Sequence, residues 1–286
     1  MYVANTDRYD NTIYNRCGRS GLVLPRISLG MWQNFGKNAD YDTMKDIILT
    51  AFDHGITYFD LANNYGPDPG QAEINFGKIF NENLKPYRDE IIIATKAGYE
   101  MWPGPYGGRG GSRKYLTASL DQSLKRMGID YVDIFYHHCL DPDTPLKETA
   151  LCMSDIVRQG KSLYIGMSNY DGKKMHRMYH KCDDYNVPFV VNQNRYNILD
   201  RQVEYNSLKK ECFSKHKGLV AFSPLAQGRL SDKFKNGIPE SSRLYGKPDY
   251  CKSIGLDDAQ LQYISSLCEL RTKGAKPFLK WRFSGC

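Results

Sequence analysis

The stretch "TYFDLANNYG", residues 57–66, begins with an apolar, aromatic run and ends in polar residues. Its first six residues predict a buried β-strand, because a strand covered on both faces has a nearly continuous apolar sequence. The next stretch, "GQAEINFGKIF" (70–80), spaces its apolar residues as a helix does. A buried strand followed directly by a helix is the repeating unit of a parallel sheet.

The same alternation of strand and helix continues on both sides of this unit. Most of the predicted helices end near a glycine, a common helix stop. The predicted strands are 22–32 (after a short N-terminal hairpin), 57–62, 90–98, 130–138, 161–169, 188–193 and 218–224, and the predicted helices are 42–55, 70–80, 116–128, 145–160, 172–186 and 201–216.

Two architectures fit this strict alternation, the eight-fold barrel and the doubly wound open sheet. A dinucleotide-binding open sheet carries G-x-G-x-x-G just after its first strand. The first predicted strand is instead followed by "QNFGKNAD" (33–40), which lacks that motif. The sequence therefore predicts an α/β fold of the (β/α)8 TIM barrel type.

Barrel enzymes place their chemistry at the carboxyl ends of the strands. In this chain nearly every predicted strand ends in polar or aromatic residues, which makes that face the candidate site. These residues are Trp32, Asp60 with Tyr65, Lys96, His138, Ser168 with Asn169, Gln193, and Phe222 with Ser223.

Four of these strand-end residues could together protonate a carbonyl oxygen. A free tyrosine has a pKa near 10, and an ammonium about 4 Å away stabilises its phenolate by about 4 kcal/mol at an effective dielectric of about 20. We therefore expect Lys96 to lower the pKa of Tyr65 by about three units, to near neutrality. Asp60 would hold the Lys96 ammonium in place, and His138 would hydrogen-bond the substrate oxygen.

Each residue also has an ordinary interpretation when it is taken alone. Asp60 could cap a helix or form a turn, and Tyr65 could be a loop aromatic. Lys96 could be solvated, and His138 could be structural. Because all four fall at strand ends of one predicted sheet, the catalytic interpretation is favoured over four independent ordinary ones.

Proton donation to a carbonyl requires hydride delivery to its carbon, and no side chain supplies hydride. A nicotinamide cofactor is therefore implied. Ser168, Asn169 and Gln193 form a set of donors and acceptors suited to a carboxamide, and Phe222 could stack on the nicotinamide ring.

The composition argues against a nucleic-acid-binding protein, a zinc-finger protein and a membrane-inserted protein. The net charge of +7 comes from basic residues spread along the 286 residues, which does not indicate nucleic-acid binding but is compatible with an anionic small molecule. The eight cysteines form no CxxC pair or zinc-finger spacing, so no metal site is predicted. With a polar N-terminus and no long apolar run, we expect free thiols, a cytoplasmic location and no membrane insertion.

Several motifs resemble those of the aldo-keto reductase family. They are "GITYFDLANNYG" (55–66), "IIIATKAG" (91–98), "DYVDIFYHH" (130–138), "IGMSNY" (165–170) and "FSPLAQGRL" (222–230). Two longer stretches, "DLANNYGPDPGQAE" (60–73) and "MWPGPYGGRGGSRKYLTASLDQSLKRMG" (101–128), are similar to the branch of that family that contains the bacterial L-glyceraldehyde 3-phosphate reductases and the potassium-channel β subunits. The resemblance extends from about residue 12 to about residue 270.

The resemblance implies NADPH-dependent reduction of a small-molecule carbonyl substrate, such as glyceraldehyde 3-phosphate or a methylglyoxal-like aldehyde. It assigns Asp60, Tyr65, Lys96 and His138 as a catalytic tetrad, with Tyr65 as the acid. The family histidine follows "FY" plus one residue, which selects His138. Since adjacent residues of a strand point to opposite faces, His137 cannot serve as well.

The resemblance also assigns residues to the cofactor. Ser168, Asn169 and Gln193 would hold the carboxamide, Phe222 would lie beneath the ring, and Trp32 joins this predicted set. Cys139 occupies a position that is commonly arginine in the family, which could alter the substrate pocket. The pyrophosphate loop matches Ser223, Pro224, Leu225, Gln227 and Gly228, and cationic positions near the phosphates match Lys233 and Arg243.

The C-terminal end departs from the family pattern. After "LDDAQLQYISSLCELRTKGAK" (256–276) the chain ends in "PFLKWRFSGC" (277–286), where the family has an eighth strand and a final helix. We therefore expect one barrel domain over 1–286 that lacks these two elements, with an unmatched tail over 276–286. Two alternatives remain: a cofactor-binding regulatory subunit resembling channel β subunits, and an inactive truncated paralogue. The oligomeric state, a homo-oligomer included, is open.

Overall fold

The computed structural model describes residues 2–108, 110–240, 242, 244–253 and 256–273. Arg243 and the predicted tail 276–286 lie outside these residues. The chain forms two compact units. The first comprises Met1–Asn194 and Gln202–Val220, and the second comprises Arg195–Arg201 and the chain from Ala221 onward. The single-domain interpretation stays a prediction.

A sheet of seven strands follows the order of the sequence. Its first six strands run parallel to one another. Helices alternate with these strands, which confirms the predicted (β/α)8 type of fold; among the described residues no eighth strand joins this sheet. The strands are β3 (Leu29–Gly30), β4 (Tyr58–Asp60), β5 (Ile92–Ala97), β6 (Val132–His137), β7 (Ser162–Ser168), β8 (Phe189–Arg195) and β9 (Gly218–Phe222).

Three helices of the first unit begin at polar caps that the sequence supplies. Asp40, Ser112 and Asp171 each accept a hydrogen bond from the backbone N–H three residues later, which satisfies a free donor of the first turn. The α-helices of the first unit are α1 (Tyr41–Asp53), α2 (Gln71–Ile79), α3 (Arg113–Met127), α4 (Leu146–Arg158), α5 (Gly172–Asp184), α6 (Gln202–Tyr205) and α7 (Leu208–Ser214), and those of the second unit include α8 (Pro248–Ser253) and α9 (Asp258–Lys273).

The predicted strand over 22–32 was wrong in its extent. Residues Val23–Pro25 form β2, which pairs antiparallel with β1 (Tyr14–Arg16) in a separate hairpin. The chain then bends at Arg26 and Ile27, and the parallel sheet receives the two residues Leu29–Gly30. A continuous apolar run does not show where a chain turns from one sheet into another.

The predicted helix over 201–216 was wrong in its continuity. It is divided into α6 and α7 at Ser207, whose backbone has the left-handed φ of +67°. A left-handed residue cannot continue a right-handed helix. The spacing of apolar residues nevertheless predicted helical structure in this region, as one helix where the chain forms two shorter ones.

The hairpin contributes to the core of the first unit. Cys17 and Leu24 pack in one buried cluster with Tyr58, Ala94 and Tyr136 of the parallel strands. Tyr58 lies two residues before Asp60, and Tyr136 lies two residues before His138. The side chains that precede the candidate site therefore form a packed layer next to it.

The second unit has a smaller apolar cluster of its own. Phe234, Leu244 and Cys251 are buried there with Leu256 and Ile264 of the α9 region. This cluster orders the chain that follows β9.

Candidate active site

The register of the parallel strands brings the tetrad residues to one face of the sheet. Asp60 of β4 pairs with Ala94 of β5, two residues before Lys96. Lys96 pairs with Tyr136 of β6, two residues before His138. Because side chains alternate along a strand, Asp60, Lys96 and His138 share one face.

The same alternation continues to the residues predicted to bind a carboxamide. Tyr136 pairs with Gly166 of β7, two residues before Ser168, and Ser168 pairs with Gln193 of β8. Ser168 and Gln193 are buried. They therefore share the face of Lys96 and His138.

The Lys96 ammonium is fully buried and has three acceptors. Its Nζ lies 2.6 Å from Asp60 Oδ2, 2.7 Å from the Leu61 carbonyl oxygen and 3.2 Å from the Tyr65 hydroxyl. Burial disfavours the charged form, but Asp60 and Tyr65 outweigh it and raise the pKa of Lys96 above its usual value. Lys96 is therefore a permanent cation directed at Tyr65.

The expected direction of the Tyr65 pKa was wrong. Burial raises the pKa of Tyr65 above its usual value, and the opposing effect of the Lys96 ammonium is smaller. The sequence indicated that the Lys96 cation lies near Tyr65, but it did not show that the Tyr65 hydroxyl is buried. Tyr65 is therefore held in its protonated form at neutral pH.

His138 lies beside Tyr65 with their ring centroids 5.9 Å apart, and the ring of Tyr99 is 4.6 Å away on another side. Burial, with the nearby Lys96 charge, holds the pKa of His138 well below its usual value. Its Nδ1 is buried without a hydrogen-bond partner among the described residues. His138 is therefore a neutral imidazole with a ring nitrogen available to a ligand.

The neighbouring His137 points away from Tyr65, as the alternation of strand residues requires. Its Nδ1 lies 2.7 Å from the hydroxyl of Tyr170, and burial lowers the pKa of His137 to about 4. The structure thus brings His138, and not His137, next to Tyr65.

These two buried imidazoles predict a stability that decreases in acid. In the unfolded chain both would bind protons below a pKa of about 6.5, whereas in the folded chain they stay neutral to lower pH. The unfolded state then binds more protons, so the free energy of unfolding decreases as pH falls below about 6.5. Each imidazole contributes at most about 1.4 kcal/mol per pH unit.

Urea unfolding at pH values between about 6 and 5 measures this effect. We expect His137→Gln to reduce the dependence of the free energy of unfolding on pH by up to about 1.4 kcal/mol per unit. A His137→Gln protein with the same pH dependence as the parent would contradict the assignment.

Sequence reasoning missed the residues that hold Asp60. Gln193 donates from Nε2 to Asp60 Oδ1 at 3.0 Å, and the Tyr58 hydroxyl donates to the same oxygen at 3.4 Å. The hydroxyls of Tyr58 and Tyr136 are 2.8 Å apart. The sequence did contain a positional signal for the two tyrosines. Tyr58 lies two residues before Asp60 and Tyr136 lies two residues before His138.

The chemistry of the donor set near His138 fits a nicotinamide carboxamide. Asn169 has the left-handed φ of +59° and donates from Nδ2 to the His138 carbonyl at 2.9 Å and to Ser168 Oγ at 3.3 Å. Gln193 donates one of its two side-chain N–H groups to Asp60, which leaves the other for a ligand. The Ser168 hydroxyl and the Gln193 amide thus lie on the tetrad face, with the Asn169 amide beside the Ser168 hydroxyl, and their binding role stays a prediction.

The other predicted cofactor residues are placed as follows. Trp32 follows β3 and is 44% exposed. In the second unit, Phe222 ends β9, and the loop after it reverses through left-handed residues at 223 and 226–228, a backbone form that presents N–H groups to anions. Lys233 is exposed in a short 3-10 turn. Their roles are untested, and Arg243 lies outside the described residues.

The described part of the chain has neither a metal-binding cluster nor a membrane-spanning helix. No group of three or more His, Cys, Asp or Glu side chains is arranged there to hold a metal ion. Within the same residues, none of the helices has the length and apolar composition that a bilayer span requires.

Comparison with known proteins identifies relatives of this chain. A model described as "Aldo/keto reductase family" matches residues 26–272. The L-glyceraldehyde 3-phosphate reductase of Escherichia coli (strain K12) is 48% identical over 273 residues, which cover 94% of this chain and 79% of that protein. A "Probable voltage-gated potassium channel subunit beta" of Arabidopsis thaliana is 35% identical over 235 residues, covering 80% of this chain and 69% of that protein.

Proposed function

The chain belongs to the aldo/keto reductase family, and from this membership and the site geometry we propose that it reduces aldehydes or ketones to alcohols with NADPH, using Tyr65 as the proton donor. The family makes the chain an oxidoreductase, as the resemblance implied. Beyond this family membership, the proposal specifies NADPH as the cofactor, Tyr65 as the acid, and aldehydes or ketones as the substrates.

The observation that carries the proposal is the 3.2 Å contact between the Tyr65 hydroxyl and the buried Lys96 ammonium. Tyr65 is protonated before reaction, so it has a proton to give. As the proton leaves, negative charge develops on the phenolic oxygen beside a fixed cation in a poorly solvated site. Such a preorganised charge stabilises the transition state without reorganising at the moment of reaction.

His138 would complete proton delivery by orienting the substrate. A neutral imidazole donates one N–H, and a carbonyl oxygen placed between Tyr65 and His138 would accept from both. His138 itself stays neutral because burial opposes its protonation. We therefore assign proton transfer to Tyr65 and positioning of the oxygen to His138.

The cofactor supplies a hydride to the carbonyl carbon when it is bound. Ser168, Asn169 and Gln193 would hold its carboxamide on the face that carries the tetrad. The register supports this assignment, because Ser168 and Gln193 are paired and share the face of Lys96.

The substrate class follows from the relatives. The Escherichia coli relative is named for L-glyceraldehyde 3-phosphate, and we propose a similar small aldehyde, phosphorylated or methylglyoxal-like, for this chain. The basic net charge favours an anionic substrate through long-range attraction.

A regulatory subunit is the second candidate, because a relative is named as a channel subunit. The complete tetrad with its buried ion pair and the higher identity to the reductase favour the enzyme. The two functions differ in whether the cofactor is turned over.

Loss of NADPH absorbance with glyceraldehyde 3-phosphate or methylglyoxal tests the proposal. We expect oxidation that depends on the aldehyde and is faster with NADPH than with NADH. If NADPH raises the thermal midpoint but no aldehyde is reduced, the regulatory subunit is favoured, since ligand binding to the native state alone stabilises it. Absence of any cooperative transition would favour the inactive paralogue.

A further inference from the structure

Two histidines on the outer surface converge at their ring nitrogens. His176 and His180 lie four residues apart on α5 and are both exposed. Their Nε2 atoms are 3.2 Å apart, with ring centroids at 4.6 Å and an angle of 71° between the planes. Residues at this spacing lie on one face of a helix, the arrangement in which two histidines chelate a metal ion.

A carboxylate from a second helix orients one of these imidazoles. Glu211 of α7 places Oε2 at 3.0 Å from Nδ1 of His176. An N–H on Nδ1 donates to this carboxylate, which leaves the lone pair of the ring on Nε2. Metal-bound histidines are characteristically held by such a carboxylate behind the ligating ring, which also raises the basicity of the ligand.

From this geometry we propose that His176 and His180 form a bidentate site for a late first-row divalent cation, with Glu211 as a positioning residue. A cation at the usual Zn–N distance of about 2.0–2.1 Å from both Nε2 atoms would make an N–metal–N angle of about 100–106°. That angle is close to tetrahedral. Because the described residues contain no cluster of three such ligands, water would complete the coordination.

The surroundings select which cations can bind. Two neutral nitrogen ligands suit Ni²⁺, Cu²⁺ and Zn²⁺, whereas Mg²⁺ and Ca²⁺ require oxygen ligands. The helix face is basic: Lys173 and Arg177 are exposed on α5, and the Lys215 ammonium lies 4.9 Å from the ring centroid of Tyr179, which precedes His180. These positive charges oppose any cation, so binding depends on imidazole coordination, supported by the Glu211 carboxylate behind His176.

The competing explanation is a hydrogen-bond chain from Glu211 through His176 to His180 that joins α5 to α7. Both explanations use the observed contacts, but a hydrogen-bond chain does not require metal binding. Calorimetric titration of the untagged protein with Ni²⁺ distinguishes them, and Ni²⁺ avoids the oxidation of thiols that Cu²⁺ would cause. We expect one ion per chain, with affinity reduced at least tenfold in His180→Gln.

Glu211→Gln tests the positioning role. It retains both ligands but removes the charge behind His176, and we expect its Ni²⁺ affinity to fall about tenfold. The exposed lone imidazole of His54 is a matched control, and His54→Gln should bind as the parent does. Absence of Ni²⁺ binding in the parent, or binding unchanged in His180→Gln, would overturn the proposal, and melting curves verify that each variant is folded.

Discussion

The variant Tyr65→Phe is expected to reduce kcat for aldehyde reduction by at least about a hundredfold, the lower end of the usual contribution of a general acid. Phenylalanine preserves the ring beside His138 and above the Lys96 ammonium, which lies 4.7 Å from the ring centroid. It removes the hydroxyl that contacts Nζ of Lys96. The change therefore removes the proton donor with little change in shape.

Steady-state kinetics with NADPH and the best aldehyde measure this loss. The NADPH-induced increase in thermal midpoint should be nearly the same in Tyr65→Phe as in the parent, because the proposed carboxamide contacts are elsewhere. Tyr164, a partly buried tyrosine that packs against the core of the first unit, provides the control, and Tyr164→Phe should retain kcat. If Tyr65→Phe kept a kcat within about threefold of the parent, the proposed role of Tyr65 would be wrong.

The raised pKa of Tyr65 determines the protonation state of the proposed acid before reaction. A phenol whose pKa was near 7 would be partly ionised before reaction and would lose protons that it needs to donate. Burial keeps Tyr65 protonated, and the same burial strengthens the attraction between Lys96 and the phenolate as that charge appears. In the proposed mechanism the Lys96 cation therefore contributes chiefly to the transition state, where charge develops, and not to the ground state.

Local pattern was enough to predict the face on which the tetrad lies. Side chains alternate along each strand and parallel strands end at one edge, so Asp60, Lys96 and His138 could be grouped from sequence. The choice of His138 over His137 rests on the same rule, and the contacts of His137 with Tyr170 agree with it. The resemblance to the aldo-keto reductase family is confirmed by the family match over residues 26–272.

Features that depend on distant parts of the chain could not be predicted. Gln193 reaches Asp60 across 133 residues of sequence, a contact that requires the register of every strand between them. The burial that reverses the pKa of Tyr65 is likewise a property of the packed protein. A local turn also escaped prediction, since nothing in the apolar pattern marked the left-handed Ser207 between α6 and α7.

The second large effect is expected from the buried ion pair. Lys96→Met should lower the free energy of unfolding by about 3–5 kcal/mol, the usual cost of removing one partner of a buried pair. The side chain of Lys96 is fully buried and that of Asp60 is 10% exposed, so Asp60 would be left as a poorly solvated charge. Gln193 and Tyr58 would still donate to Asp60, but neither supplies a positive charge.

Urea unfolding of a second variant separates the charge effect from simple loss of packing. Asp60→Asn combined with Lys96→Met removes both charges, and we expect it to be more stable than Lys96→Met alone, because a neutral site has no unpaired ion. The exposed pair between Lys181 and Asp184 gives the control, and Lys181→Met should cost less than about 1 kcal/mol. Two results would contradict this explanation: Lys96→Met as stable as Lys181→Met, or a double variant that is the least stable of the three. Either result would show that Lys96 does not stabilise the folded chain by neutralising the Asp60 charge.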